Sequence, residues 1–288
     1  MKKILSFVMI LTIMFSLLSF SSGTAEAAAG TGKKALIYVN AYGKTKTKEC
    51  KEMGDAAVKA LRQAGWSITV EYVGGNAPAG TTVASILNQM SQYDAVFFYC
   101  HGAYYAPKAS NPHSPSVTDN PRTDYPNTGG AITLFQEKNL WLTYESVMAW
   151  SGNLSKVKYL YAGCCAAGCS GYNKTNPSKI TKKGVIDALD TKGVYATVSF
   201  RKTVYDSELV QFSKEYVRRF ASSLDVRSSV TGALSTLPQS VRTRLTTWAP
   251  ESTLTVTNAG QGQYGTSPDY DRKPLLRIDL YGYTWGYN

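Results

Sequence analysis

Asp94-Ala95-Val96-Phe97-Phe98-Tyr99-Cys100-His101-Gly102 is the stretch from which the rest of the chain can be read. Its apolar residues follow one another without polar alternation and stop at a histidine. A short continuous apolar run predicts a strand covered on both faces, as in a parallel sheet between helices. Lys156-Val157-Lys158-Tyr159-Leu160-Tyr161-Ala162-Gly163 repeats the pattern and stops at Cys164 and Cys165. Between the two runs, Leu142 to Trp150 reads as a helix capped by Thr143. Strand, helix, strand in that order predicts two parallel neighbours joined by a crossover.

The same alternation extends outward. Lys33 to Tyr42 is a β-rich apolar run. Gly54 to Gly65 has helical spacing at Ala57, Leu61 and Ala64, and ends on a glycine. Trp66 to Val73 alternates like a strand, and Val83 to Gln92 is an amphipathic helix. Gly184 to Gly193 reads as a short helix and Val194 to Phe200 as a strand. Ser207 to Ser223 is the clearest helix, with Leu209, Phe212, Tyr216, Val217 and Phe220 on one face. The fold class expected is α/β, a three-layer α/β/α sandwich around a mostly parallel central sheet. Residues 103 to 130, rich in Pro, Asn, Ser and Gly, predict a long surface loop. Past residue 250, Ser252 to Gly260 and Lys273 to Tyr287 are β-rich. They are expected either to extend the sheet or to form a small appendage.

The first residues carry a different signal. Lys2 and Lys3 precede the apolar run Ile4 to Leu18, and Ala25-Glu26-Ala27 is an A-x-A cleavage pattern. The expected division is a signal peptide over 1–27, a main domain over 28–250 and a C-terminal β extension over 251–288, part of the same domain. The mature chain is expected to be secreted and to contain no membrane span. With 31 Lys+Arg against 20 Asp+Glu, the formal net charge is +11. Such a chain is attracted to anionic polymers, including those of cell walls. The charges are scattered rather than clustered, which predicts weak association and no dedicated nucleic-acid surface.

Five cysteines, an odd number, leave at least one thiol unpaired unless chains join. Cys164-Cys165-x3-Cys169 lacks the paired C-x2-C spacing of zinc sites, so no metal is expected. Nothing indicates a cofactor, calcium included. The histidines are two, His101 and His113. His113 lies in the Pro/Ser-rich stretch. His101 and Cys164 each end a buried strand, and in open α/β sheets ligands collect at the carboxyl ends of strands. Neighbouring strands lie about 4.8 Å apart, close enough for an imidazole to take a proton from a thiol. The N–H groups of Gly102 and Cys164 are positioned on the same rim to face a developing oxyanion.

Asp94 to Gly102 followed by Lys156 to Cys165 resembles the caspase-like cysteine peptidases, the clan that includes caspases, separases, gingipains and clostripain. The resemblance covers about Ala35 to Phe220. It implies a His-Cys dyad of His101 and Cys164, with Gly163 as the small residue before the nucleophile. Cys165 is the alternative nucleophile, because relatives more often carry a polar residue there. Val194 to Phe212 resembles the separase-like pattern in which an Asp before a helix receives a basic P1 side chain. That Asp is Asp206, which would direct cleavage after Arg or Lys; equally, Asp206 suits the first turn of the helix. Ser170 to Lys183 lies where such enzymes often have an interchain cleavage segment. Lys174, Lys179, Lys182 and Lys183 are the candidate self-cleavage positions there, and a solvated basic loop is the competing reading.

Taken together these features imply a secreted cysteine endopeptidase acting on protein or peptide substrates. A non-catalytic wall-binding protein on the same scaffold is the alternative, since a fold does not carry its function with it. A thiol redox protein using Cys164, Cys165 and Cys169 is a third reading, weakened by the missing C-x-x-C.

Overall fold

The protein is described from a computed structural model over residues 30–42, 46–108, 111–117, 129–135, 140–172, 180–201, 204–246, 276–280 and 283–285. Residues 1–27, expected to be a signal peptide, the piece Ser252 to Gly260, and Lys174 and Lys179 lie outside the described residues.

The central sheet has seven strands in the order β13-β12-β11-β8-β3-β1-β2. Five are mutually parallel: β1 (Lys34–Asn40), β2 (Ser67–Val73), β3 (Ala95–Tyr99), β8 (Tyr159–Ala162) and β11 (Ala196–Phe200). β12 (Leu276–Leu280) runs antiparallel to β11, and β13 (Tyr283–Trp285), at the edge, runs antiparallel to β12. The C-terminal piece therefore extends the sheet rather than forming an appendage.

The two-residue period of each strand sorts its side chains between two cores. Ala35, Ile37, Val39, Phe97, Tyr99, Tyr161, Val198 and Phe200 face one side. They pack there against α1 (Thr47–Gln63), α5 (Asp206–Ser223), α6 (Val226–Ser235) and α7 (Gln239–Thr246). Tyr161 is stacked on Tyr216 with ring centroids 4.9 Å apart and shares a hydrogen bond with Ser213 Oγ at 2.5 Å. Leu36, Tyr38, Val96, Phe98, Leu160 and Ala162 face the other side, against α2 (Val83–Met90), α3 (Tyr144–Ala149) and α4 (Val185–Thr191). These are the three layers expected of strands covered on both faces. All five residues of β3 are buried, whereas β2, at the edge, is only partly covered.

Helix signals read from the sequence are met by real caps. Thr143 Oγ1 accepts from the Ser146 N–H at 3.2 Å, and Ser146 Oγ accepts from the Thr143 N–H at 2.9 Å. Thr82 and Ser85 form the same reciprocal pair at the start of α2.

One expectation fails. Residues 103 to 130 are not simply a loop. His101–Lys108 (β4) and Asn111–Val117 (β5) pair antiparallel, and Gly129–Phe135 (β6) and Leu140–Leu142 (β7) complete a four-stranded sheet in the order β5-β4-β6-β7. Strand β6 is fully buried, and its Ile132 and Leu134 join the core on the α2/α3/α4 side. The partner that holds Gly102 to Ala103 extended is therefore thirty residues away, which turn-forming composition does not report. Likewise, the ends of the Ser170–Lys183 segment form a small hairpin of β9 (Gly171–Tyr172) and β10 (Ile180–Lys182).

Candidate active site

Chain order runs from β1 out to β2 on one side and to β3, β8 and β11 on the other, so the direction of winding reverses beside β1. A reversal of this kind leaves a crevice at the carboxyl ends of the strands. The residues following those ends converge on it. Lys46 follows β1, His101-Gly102 follows β3, Cys164-Cys165 follows β8, and Val204 to Asp206 follows β11.

His101 and Gly102 open β4 and pair with Thr133 and Ile132 of β6. His101 is partly exposed. Gly102 lies hard against the turn after β8: a Cβ there would sit 1.8 Å from the Cys165 carbonyl oxygen. The glycine is required by main-chain contact with the cysteine turn. The same turn is pinned elsewhere. The Gly163 N–H donates to Phe98 O at 2.8 Å, the Gly168 N–H to Phe200 O at 2.8 Å, and the Gly130 N–H to Cys169 O at 2.9 Å. Ala166 takes a left-handed φ of 56° inside it.

The two adjacent thiols have different surroundings. Cys164 is wholly buried and belongs to the apolar core on the α2/α3/α4 side, together with Cys100. Burial pushes its thiol well above the usual cysteine range, and the neighbouring Cys165 and Cys50 push the same way. Cys165 is partly exposed. Its Sγ accepts from the Val204 N–H at 3.4 Å and lies 3.7 Å from Val204 O. Burial raises this thiol too, but the Lys46 ammonium and the Val204 N–H pull it back. No disulfide joins the five cysteines.

Asp206 is the first residue of α5, behind Tyr205 at the cap position. Its Oδ1 is 2.7 Å from Lys46 Nζ, with both side chains partly exposed. The carboxylate that the sequence suggests for a basic substrate residue is thus engaged by a lysine of the chain itself. Lys182 closes the β9/β10 hairpin opposite Gly171, and the Lys183 ammonium lies 5.9 Å from the centre of the Tyr144 ring.

Two features escape a reading by sequence. Lys46 belongs to Lys44-Thr45-Lys46-Thr47-Lys48, which reads as solvated surface. The other is a buried charge cluster around Arg277 of β12. Its Nε donates to Asp279 Oδ2 at 2.6 Å, Nη2 to Asp187 Oδ1 at 2.7 Å, and Nη1 to Gly168 O and Ser170 Oγ, both at 3.1 Å. Asp187 Oδ2 in turn accepts from Ser170 Oγ at 2.7 Å and from the Gly184 N–H at 2.6 Å. Strand β12 thereby holds the far end of the cysteine turn against α4. Among the described residues no group of His, Cys, Asp and Glu is arranged to hold a metal ion. No helix among them is long and apolar enough to cross a membrane.

No family model matches the chain, and no curated protein matches it. Among solved structures, a secreted C11 cysteine protease from Bacteroides thetaiotaomicron, "iotapain", is similar at 12% identity and a TM-score of 0.39. The match covers 71% of this chain and 62% of that one, so the chain spans less than two thirds of that protein's length. What the rim can do is decided by this chain's own residues.

Proposed function

We propose that this chain is a cysteine endopeptidase of the caspase-like type, exported through its N-terminal signal, with His101 as general base. The observation that carries the reading is the neighbouring of parallel β3 and β8, with the Gly102 backbone packed on that of Cys165. The register of β3 and β8 pairs Phe98 with Ala162, and beyond those two ends the chain continues to His101-Gly102 and to Cys164-Cys165.

The sequence pattern favours Cys164 as nucleophile. Its complete burial in an apolar core favours its neighbour instead, because a nucleophile has to be reached by substrate and ionised at useful pH. We assign the role to Cys165. His101 takes the thiol proton, and the thiolate attacks the scissile carbonyl carbon, whose π electrons move to oxygen. The Gly102 N–H and those of the cysteine turn are assigned to receive that oxyanion. As the tetrahedral centre collapses, the C–N bond breaks and the imidazolium returns its proton to the leaving amine. Water, deprotonated by His101, then hydrolyses the thioester, releasing the acid and regenerating the thiol.

Specificity for Arg or Lys at P1 through Asp206, whose Oδ1 is held by Lys46 and whose other oxygen would meet the substrate, belongs to the same proposal, as does self-cleavage among Lys174, Lys179, Lys182 and Lys183. The test is turnover by the mature protein, under reducing conditions, of fluorogenic peptides bearing Arg, Lys, Asn or Asp at P1. Cleavage after Arg or Lys, abolished in His101→Ala and Cys165→Ala, is the expected result. Activity that survives Cys165→Ala but not Cys164→Ala would return the nucleophile to Cys164. Inactivity on every peptide by a folded protein would favour the wall-binding alternative. Mass mapping of the incubated protein tests self-cleavage; an active enzyme whose chain stays intact would exclude it.

A further inference from the structure

We propose that Lys46 is a positioning residue for Cys165: clamped by Asp206, its ammonium is a fixed positive charge that eases removal of the thiol proton by His101 and steadies the thiolate so formed. The inference rests on Cys165 being the nucleophile and adds a third member to that site.

The geometry comes from three strand ends. Asp206 binds Lys46 Nζ at 2.7 Å. Two residues earlier, Val204 brackets Cys165 Sγ through its N–H and carbonyl, at 3.4 and 3.7 Å. The carboxylate that orients the ammonium and the backbone that holds the sulfur therefore belong to one three-residue segment. Lys46 sits in the left-handed region at φ 58°, uncommon for a residue with a Cβ, at the entry to α1. Strain at such a position persists only where surrounding contacts enforce it.

The electrostatics agree. Burial works against the Lys46 ammonium, yet its pKa is raised, first by Cys165 and then by Asp206. The influence is mutual: burial raises the Cys165 thiol above the usual cysteine range, and Lys46 is the largest factor opposing that rise. The other groups acting on Cys165 are Cys50 on α1, Asp206 at the start of α5 and Cys164 in its own turn, while Gly102, which follows His101, lies against its backbone. Of these, Asp206 is a fixed negative charge and opposes ionisation of the thiol. Lys46 is the fixed cation among them. Cys50, one helical turn beyond Lys46, is itself pushed up to about 12 by burial and stays a neutral thiol. Among the described residues no cation comparably offsets the burial of Cys164, so the arrangement also distinguishes the two adjacent cysteines.

The test measures thiol ionisation directly and does not require the peptidase reading. The full chain is alkylated with iodoacetamide across a pH series, and each cysteine is followed by peptide mapping. Cys165 is expected to react first, and Lys46→Met to slow it about tenfold near neutral pH, moving its titration up by about one unit. Lys46→Arg, which keeps the charge, is expected to restore most of the rate. Lys46 is partly exposed, so unchanged thermal melting of both variants separates this effect from misfolding. A Lys46→Met profile that overlays the parent, or preferential alkylation of Cys164, would overturn the proposal. The expected shift in a protein that cleaves none of the test peptides would uphold Lys46 and remove the peptidase reading instead.

Discussion

Cys164 and Cys165 differ by one position and by nearly everything a thiol responds to. A residue ending a strand is directed to one of the two cores by parity, so a step of one exchanges an apolar interior for a polar crevice. Cys164→Ser would place a hydroxyl in the α2/α3/α4 core, where Cys164 is fully buried. A loss of about 1–3 kcal/mol in urea unfolding is expected. Cys165→Ser is expected to leave stability nearly unchanged while abolishing turnover. Gly102 is constrained just as tightly. Gly102→Ala would drive a methyl to 1.8 Å from the Cys165 carbonyl, a main-chain atom that cannot swing aside. We predict a cost of at least about 1–3 kcal/mol, measured by thermal melting, and a disproportionate loss of activity because the displaced atoms belong to the site. The sequence marks His101-Gly102 and Cys164-Cys165 as unusual. Which sulfur faces the crevice is invisible there, since parity past the strand end depends on how the turn is pinned to β3, β6 and β11.

At the scale of elements, the short helix α3 depends on its cap more than on its length. Six residues form too few internal hydrogen bonds to be stable alone, and the Thr143–Ser146 pair satisfies donors that the first turn leaves open. Thr143→Ala is expected to cost about 1 kcal/mol, read as a shift in denaturation midpoint. The cap, the buried strands and α5 were all legible as local patterns. The second sheet was not. His101–Lys108 takes its extended form from pairing with β6, and composition alone suggests a loop. Helices α6 and α7 carry no strong sequence signature either. They are held by a few apolar residues, Val230, Ala233 and Leu245, inserted into a core built by other elements.

For the whole molecule, Arg277 joins β12 to the rim that carries the cysteine turn. It contacts Asp187, Asp279, Gly168 and Ser170 from a buried position. Arg277→Met would leave carboxylates buried without their cation, at about 3–5 kcal/mol. Chemical denaturation would read this, and loss of activity should accompany it because Gly168 and Ser170 anchor the cysteine turn. The cluster also sets a pH dependence. Burial, and then the charge of Asp279, push Asp190 up to about 9, with Arg277 pulling the other way. The folded chain thus retains a proton there that the unfolded chain releases in the ordinary carboxylate range. The stability this contributes is present at low pH and is lost as pH rises toward about 9. Asp190→Asn is predicted to flatten the fall in melting temperature between about pH 5 and pH 9; a parallel fall in both proteins would refute the assignment.

The amino-acid sequence by itself determined the layering of this protein. Continuous apolar runs can only be strands covered twice, and helical spacing between them supplies the cover, because burial responds to periodicity that is written locally. It also placed a histidine and two cysteines at strand ends. The tertiary structure alone decided that Cys164 is buried while Cys165 is partly exposed, that Lys46 pairs with Asp206 two residues from the Val204 that holds Cys165, and that Arg277 holds the cysteine turn from β12. Each of those contacts joins residues far apart in the chain. Charge and thiol chemistry depend on distance in space, which no local pattern encodes.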